Sequence, residues 1–495
     1  MRELTVSAGI TRREEIGRLA ALSLTLPASV AVFLWSLLAG LDLGLWHDEV
    51  WSVVRFIDPG PAAVFNGPYV PNNHMLFSLL AWITTSLAAD GEIAVRLWSV
   101  IPTIGLLAFG TFWTRQRLGW AMAVTFMVLV VANPLVLVVG RQARGYGLAM
   151  LCTALMIGAA WEALAPDAPP SRLIPVGVFG ALAIFTLPAT VLAFLAVTSI
   201  VFMRQRVPAL VNVGVVGAAS VLWYLGNLPE LVDNLDQRFG EPLPWHGFLT
   251  GSFETLMFPI ARLLRSEYID PFRPPADILS LWTVSALLVL GALAVLGAVR
   301  LARAGSVLQS LAVWAPVAFT FTVITASRVW ILDRFVIFLI APMTLLIAAG
   351  IVEAARLVTR SSPTRHLAWA IGCLGALGLL YLATPTYERL TTTPIEGFKE
   401  VAAIVSRHDG PVLTNSVAYF GLDYYLKGDF EILANDELEA VTCDDPGRNR
   451  IVINHPERQQ EALDTACLAE AGYEVTRVDQ LIRGDWIDVW IPEND

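Results

Sequence analysis

Two adjacent carboxylates, Asp48 and Glu49, stand between tryptophans in the stretch Leu45-Trp46-His47-Asp48-Glu49-Val50-Trp51-Ser52. A carboxylate can accept the proton of an attacking hydroxyl, which is general-base chemistry. Two ionised carboxylates side by side repel each other, and desolvation near a bilayer adds to the cost. The plainer reading is an interfacial flank, with Trp46 and Trp51 in an aromatic belt and both acids facing water. Against it stands a set of arginines: Arg55, Arg96, Arg141, Arg144, Arg328 and Arg334. Guanidinium forks bind phosphate and stabilise the charge that grows on it as it leaves. A base and a set of arginines are the equipment for moving a group off a phosphate-bearing donor. Asn72-Asn73-His74 adds neutral polar groups.

Other chemistries have no counterpart in the sequence. It holds no Walker A loop, no G-x-G-x-x-G after a strand, no G-x-S-x-G elbow and no His/Cys cluster at zinc spacing. An ATP-driven pump, a dinucleotide enzyme, a serine hydrolase and a zinc enzyme are therefore not indicated.

A membrane must position these residues. Of 495 residues, 56% are hydrophobic and 15% charged, against about 25% charged in a soluble chain. A larger core would still need a charged surface, so the deficit specifies an α-helical polytopic membrane protein. A pI near 5.2 and the lack of a basic stripe exclude a nucleic-acid footprint. Arg12, Arg13 and Arg18 precede the first apolar run, and no small-residue cleavage site follows it. A retained first helix is expected.

A spanning helix needs about 20 mostly apolar residues. Candidates are 20–41, 93–113, 118–139, 146–163, 173–187, 188–203, 208–226, 278–300, 307–326, 332–355 and 366–383. Residues 74–89 are too short to decide by length, but charge decides them, because cytoplasmic loops carry the excess of Lys and Arg. If 74–89 lie in the interface, the loops with Arg115/Arg117, Arg172, Arg204/Arg206, Arg300/Arg303 and Arg360/Arg365 all fall on the N-terminal, cytoplasmic side. The expectation is about 11 crossings, with 74–89 as an interfacial or re-entrant helix. The outer face then receives loop 42–92, Gly140–Tyr146, loop 227–277, Ser327–Arg334 and the chain beyond about Thr384.

A membrane domain over 1–389 gives way to a region of different character over 390–495. Strand patterns at Pro411–Thr414, Phe430–Leu433, Arg450–Ile453, Tyr473–Val478 and Trp486–Ile491 alternate with helical Tyr419–Leu426 and Pro456–Ala471. They predict a small extracytoplasmic α/β domain. On that side Cys443 and Cys467 can pair as a disulfide, whereas Cys152 and Cys373 lie in apolar runs as packing residues. No Gly-rich phosphate loop follows these strands, which favours a docking or capping role.

Four pieces, in order and on one side, resemble the GT-C class of polytopic glycosyltransferases, in the branch of protein O-mannosyltransferases and lipid A aminoarabinose transferases. They are Asp48-Glu49; Asn73-His74-Met75-Leu76 followed by Ala94-Val95-Arg96-Leu97-Trp98-Ser99; Arg141-Gln142-Ala143-Arg144-Gly145-Tyr146; and Asp333-Arg334-Phe335 running into Ala341-Pro342. The resemblance implies the GT-C fold and a donor made of one sugar on polyprenyl phosphate. It implies inverting transfer at the outer face of a bacterial plasma membrane, onto a cell-envelope glycan, lipid or protein. Asp48 would be the base, and Glu49 would orient it or bind the acceptor. Arg144, Arg334, Arg141, Arg328 and His74 would surround the donor phosphate. Tyr146, Arg55, Asn73, Trp245, His246 and Tyr268 would contact substrate.

Two departures bear on mechanism. Asn72 and Asn73 stand where aminoarabinose transferases carry a second carboxylate, and the second outer loop lacks the Asp-x-Asp of metal-using oligosaccharyltransferases. An enzyme without metal or cofactor is expected. Nor does the C-terminal region resemble the β-trefoil of eukaryotic O-mannosyltransferases. The alternative from another class is a transporter or flippase for an anionic lipid or lipid-linked glycan, with arginines lining its path. Charges nearly absent from helix centres, and halves that do not repeat, favour a one-sided active site. A ligase or polymerase of lipid-linked glycans shares the fold class.

Overall fold

The computed structural model describes residues 27–66, 73–87, 91–230, 281–327, 333–359, 388, 391–408, 410–414, 416–427, 432–434, 451–454, 466–480 and 486–492. Helix α1 (Pro27–Leu38) leads to a short acidic helix, α2 (His47–Ser52), which continues as one π turn, Val53–Ile57. Next come α3 (Pro61–Asn66), α4 (Met75–Leu87) and the long α5 (Glu92–Leu118). At 13 residues, α4 is too short for an ordinary span.

The sequence predicts one span over 118–139, but the structure divides it into α6 (Trp120–Val131) and α7 (Pro134–Arg141), bent by 67°. Pro134 cannot donate to a preceding turn, and the Asn133 side chain instead accepts the Leu135 N–H at 3.0 Å. Helices α8 (Tyr146–Ala163), α9 (Leu173–Thr186), α10 (Val191–Phe202) and α11 (Arg206–Tyr224) follow. The later membrane helices are α12 (Leu281–Ala304), α13 (Val307–Ser327) and α14 (Ile340–Thr359), the last preceded by a 3-10 turn over Asp333–Leu339.

Among the described residues five helices are long and apolar enough to cross a membrane, and the bent α6–α7 pair would make a sixth. Leu222, Leu288 and Val215 are exposed on their outer faces, as a lipid-facing surface requires. The chain is an integral membrane protein. Without a hydrophobic drive between helices in lipid, close backbone approach carries the packing. A Cβ on Gly297 would collide with the Leu346 carbonyl, and one on Gly350 with the Leu293 carbonyl, so α12 and α14 meet backbone to backbone. Below that contact Glu353, 1% exposed, takes Arg303 at 2.7 Å and Arg300 at 3.1 Å.

The C-terminal region contains α15 (Phe398–Val405), α16 (Ser416–Leu426) and α17 (Ala466–Glu470). Its strands are β1 (Val412–Thr414), β2 (Ile432–Ala434), β3 (Ile451–Asn454), β4 (Tyr473–Asp479) and β5 (Trp486–Pro492). They form one sheet in the order β2-β1-β3-β5-β4. The first three run parallel, while β5 is antiparallel to both β3 and β4. Phe398, Val401, Leu422, Ile451, Ile453 and Val489 form a core separate from that of the membrane helices. Cys467 is disulfide-bonded; Cys443 and the expected span 366–383 lie outside the described residues.

Candidate active site

Helix α2 starts after an extended Trp46 (φ −86°, ψ 168°) and places Asp48 and Glu49 in its first turn, where the helix dipole favours negative charge. Neighbours in a helix do not share a face, and the two acids part company. Asp48 meets the Arg144 guanidinium, Oδ2 to Nη1 at 2.9 Å, and keeps 14% of its side chain exposed.

Glu49 is fully buried and is held by four hydrogen bonds from three residues. Arg96 gives it a two-pronged ion pair, Nη2 to Oε2 at 2.7 Å and Nε to Oε1 at 3.0 Å. The backbone N–H of Trp46 donates to Oε2 at 3.1 Å and that of Ala143 to Oε1 at 2.5 Å. Arg96 also donates to the carbonyls of Leu41 (2.9 Å), Leu43 (2.6 Å) and Gly44 (3.0 Å). This single pair joins the loop after α1, the start of α2, helix α5 and the segment between α7 and α8. Arg96 is thus central to the site, and its position among apolar residues of α5 is the sequence signal that marks it.

The bend at Pro134 aims α7 so that Arg141–Gly145 cross beside α2. Arg144 is completely buried. Beyond Asp48, its Nε and Nη2 reach His74 Nε2 at 3.2 and 3.0 Å, and its guanidinium carbon lies 5.3 Å from the Tyr146 ring centre. Ser99 Oγ donates to the Arg144 carbonyl at 2.5 Å. His74, just before α4, has Nδ1 3.3 Å from the Thr186 carbonyl, and its ring stands edge-on to Tyr146 at 4.9 Å. Gly145 lets these segments close: a Cβ there would meet Thr186 Cγ2 and, at 3.1 Å, His74 Cβ. The expected residues Asp48, His74, Arg144 and Tyr146 therefore form one contiguous row, completed by Ser99 and Thr186, which sequence reasoning does not single out.

Other expected residues stand around this row. Arg141 donates to the Ala39 carbonyl at 3.1 Å. Together with Glu49, Arg96 and Gln142 it lines a small pocket beside α1. Asn73 is buried and donates to the Val64 carbonyl at 3.0 Å, which ties α4 to α3. Arg55 is exposed, 5.0 Å above the Trp51 ring. Arg334 lies on the 3-10 turn Asp333–Leu339, but its side chain is outside the described set. Arg328, Trp245, His246 and Tyr268 are outside the described residues altogether.

The C-terminal domain touches the same place. Phe420 packs edge-on against Trp51 at 5.0 Å and His47 at 6.2 Å. Lys399 pairs with Glu92 at 2.9 Å and donates to the Asp42 carbonyl at 2.8 Å.

Comparison with solved structures decides the architecture. The crystal structure of apo ArnT from Cupriavidus metallidurans matches with a TM-score of 0.56 at 12% identity, over 95% of this chain and 98% of that one. The fold is that of the GT-C glycosyltransferases. ArnT bound to undecaprenyl phosphate matches at 0.51 with 14% identity, over 96% of this chain and 98% of that one. The Archaeoglobus fulgidus oligosaccharyltransferase tethered to an acceptor peptide matches at 0.50 with 13% identity, over 96% and 75%. No family model matches the sequence, and no curated protein does.

Proposed function

We propose that this GT-C chain is an inverting glycosyltransferase that moves one sugar from a polyprenyl-phosphate donor to an acceptor hydroxyl on the extracytoplasmic face. The observation that carries the reading is the row Asp48–Arg144–His74, in which a wholly buried arginine joins a partly exposed carboxylate to a neutral ring. Asp48 takes the proton as the acceptor oxygen attacks the anomeric carbon. The bond from that carbon to the phosphate oxygen breaks, and its electron pair leaves with the phosphate. A single displacement inverts the centre. Arg144, with Arg141, Arg328 and Arg334, takes up the charge gained by the leaving phosphate. Glu49 holds the scaffold through Arg96, and Tyr146 backs the guanidinium. No step calls for a metal.

Sidedness is part of the proposal. Tyr146 begins α8 at the site, while Gln309 Nε2 donates to the carbonyl of Trp161 near the other end, at 2.8 Å. Helix α8 has 18 residues, so about 27 Å separates its ends, close to the thickness of a bilayer core. Arg300 and Arg303, just before Gln309, thus belong to the membrane face opposite Asp48. The positive-inside rule supports reading their face as cytoplasmic and the site as extracytoplasmic, as the proposed eleven-crossing scheme has it.

Purified protein supplied with polyprenyl-phosphate sugars tests the reading. Wild type should release polyprenyl phosphate and glycosylate an acceptor, and Asp48→Asn should lose turnover by about 10²-fold or more. Undiminished transfer by Asp48→Asn overturns the assignment of the base. Flux of a lipid-linked glycan across vesicles with no turnover would favour a flippase instead.

A further inference from the structure

The chain reaches α2 through Leu45-Trp46-His47, where backbone N–H groups have no helical carbonyl behind them. Glu49 accepts that of Trp46. The groups on either side are taken by the C-terminal domain. Tyr425 Oη accepts the Leu45 N–H at 2.6 Å, across 380 residues of sequence. Glu396 Oε2 accepts the His47 N–H at 2.6 Å, across 349. Glu396 is 3% exposed. Burial pushes the Tyr425 phenol well above its ordinary pKa, so it keeps its proton, which reaches toward Glu92 Oε1 at 3.4 Å. Lys399 on Glu92 and Phe420 on Trp51 close the same interface on both sides.

Asp48 is the residue after His47, and its carboxylate has to stay in register with a guanidinium that is itself immobile. A displacement of about 1 Å at a reacting group costs on the order of 10² in rate. We infer that Glu396 and Tyr425 are positioning residues for the transfer reaction: through two backbone N–H groups, the C-terminal domain sets the place of Asp48. This rests on the reading of Asp48 as the base. It gives the domain a mechanical task inside the active site, performed from α16 and from the segment leading into α15. Neither side chain has to touch substrate.

The test uses the full chain in detergent or nanodiscs and four variants. Glu396→Ala removes the acceptor for His47, Glu396→Gln keeps an oxygen there, Tyr425→Phe removes the acceptor for Leu45, and Arg477→Gln alters the solvent-exposed pair that β4 makes with Asp488 on β5. Expected for Glu396→Ala and Tyr425→Phe is a fall in kcat of about tenfold or more, with donor KM within about twofold. Glu396→Gln should restore most of kcat, and Arg477→Gln should match wild type. Hydrogen exchange supplies a readout independent of turnover: peptides covering 43–52 should exchange faster in Glu396→Ala and Tyr425→Phe, with those from α8 unchanged. Wild-type exchange in 43–52 for both variants overturns the inference, as does a Glu396→Gln enzyme as impaired as Glu396→Ala. If Asp48→Asn retains activity, the base reading falls by itself, and exchange still decides whether the domain holds this segment. Should Glu396→Ala not fold, the nearly isosteric Tyr425→Phe carries the same comparison.

Discussion

Arg144 and His74 fix each other's state. The Thr186 carbonyl can only accept, so His74 Nδ1, 3.3 Å away, carries the proton and Nε2 turns a lone pair toward the Arg144 fork. His74 thereby sits neutral beside a cation and holds the guanidinium in the plane that brings Nη1 to Asp48 at 2.9 Å. Lysine cannot copy this, since an ammonium is a point charge without a planar fork. Arg144→Lys should lower kcat/KM by about 10²-fold, measured as initial rates of transfer. A lysine enzyme within twofold of wild type would mean that charge alone suffices.

The Glu49–Arg96 pair makes a different kind of prediction. Both side chains are buried, at 0% and 5% exposure, and each is saturated with hydrogen bonds. Removing one partner strands the other's charge, which typically costs about 3–5 kcal/mol, whereas replacing both by apolar groups is far milder. Arg96→Met should therefore melt much earlier than wild type, and Glu49→Leu/Arg96→Met should recover a large part of the loss. Thermal melts of the four proteins of this cycle measure it, and additive losses in the double variant would rule out the pairing as the cause.

These two arginines also show where the sequence could be read and where it could not. Charge asymmetry and order put Asp48, His74, Arg141, Arg144 and Arg96 on one side, since those signals are local. Which arginine serves which acid depends on helix rotation: Asp48 and Glu49 point about 100° apart, and a linear string does not show what lies in each direction. The bend at Asn133-Pro134 had a signal, because Asn-Pro favours turn initiation, but the unbroken hydropathy around it reads as one span. The contacts of Glu396 and Tyr425 with Leu45 and His47 at the entry to α2 had no signal at all, as they join residues 349 and 380 apart.

The reaction proposed for this site assigns the leaving phosphate to arginines. Chelation is the direct check: dialysis against EDTA should leave the transfer rate within about twofold, and readded magnesium, manganese or zinc should not raise it. Loss of activity on chelation, restored by one of these ions, would replace the arginine mechanism by a metal-assisted one.

Glu400, on α15 at the interdomain contact, is held against its own ionisation. Its Oε2 is buried with no hydrogen-bond partner among the described residues. Burial pushes its carboxyl above the usual range, and Glu92 adds to this, while Lys399 and Arg96 pull it back. A raised folded-state pKa means that the native protein binds this proton more tightly than the unfolded chain. The resulting stabilisation is complete below the unfolded value, about 4.5, and is lost as pH rises through the folded value. At neutral pH the ionised carboxylate is therefore a net cost of folding, and Glu400→Gln should remove it. The variant should melt above wild type at neutral pH, with the difference shrinking as the pH approaches about 4.5. Melting curves of both proteins over that range measure it. A variant that melts lower at neutral pH would show that Glu400 is ionised and paired in the folded protein, and a constant difference across the range would show that its ionisation is not the cause.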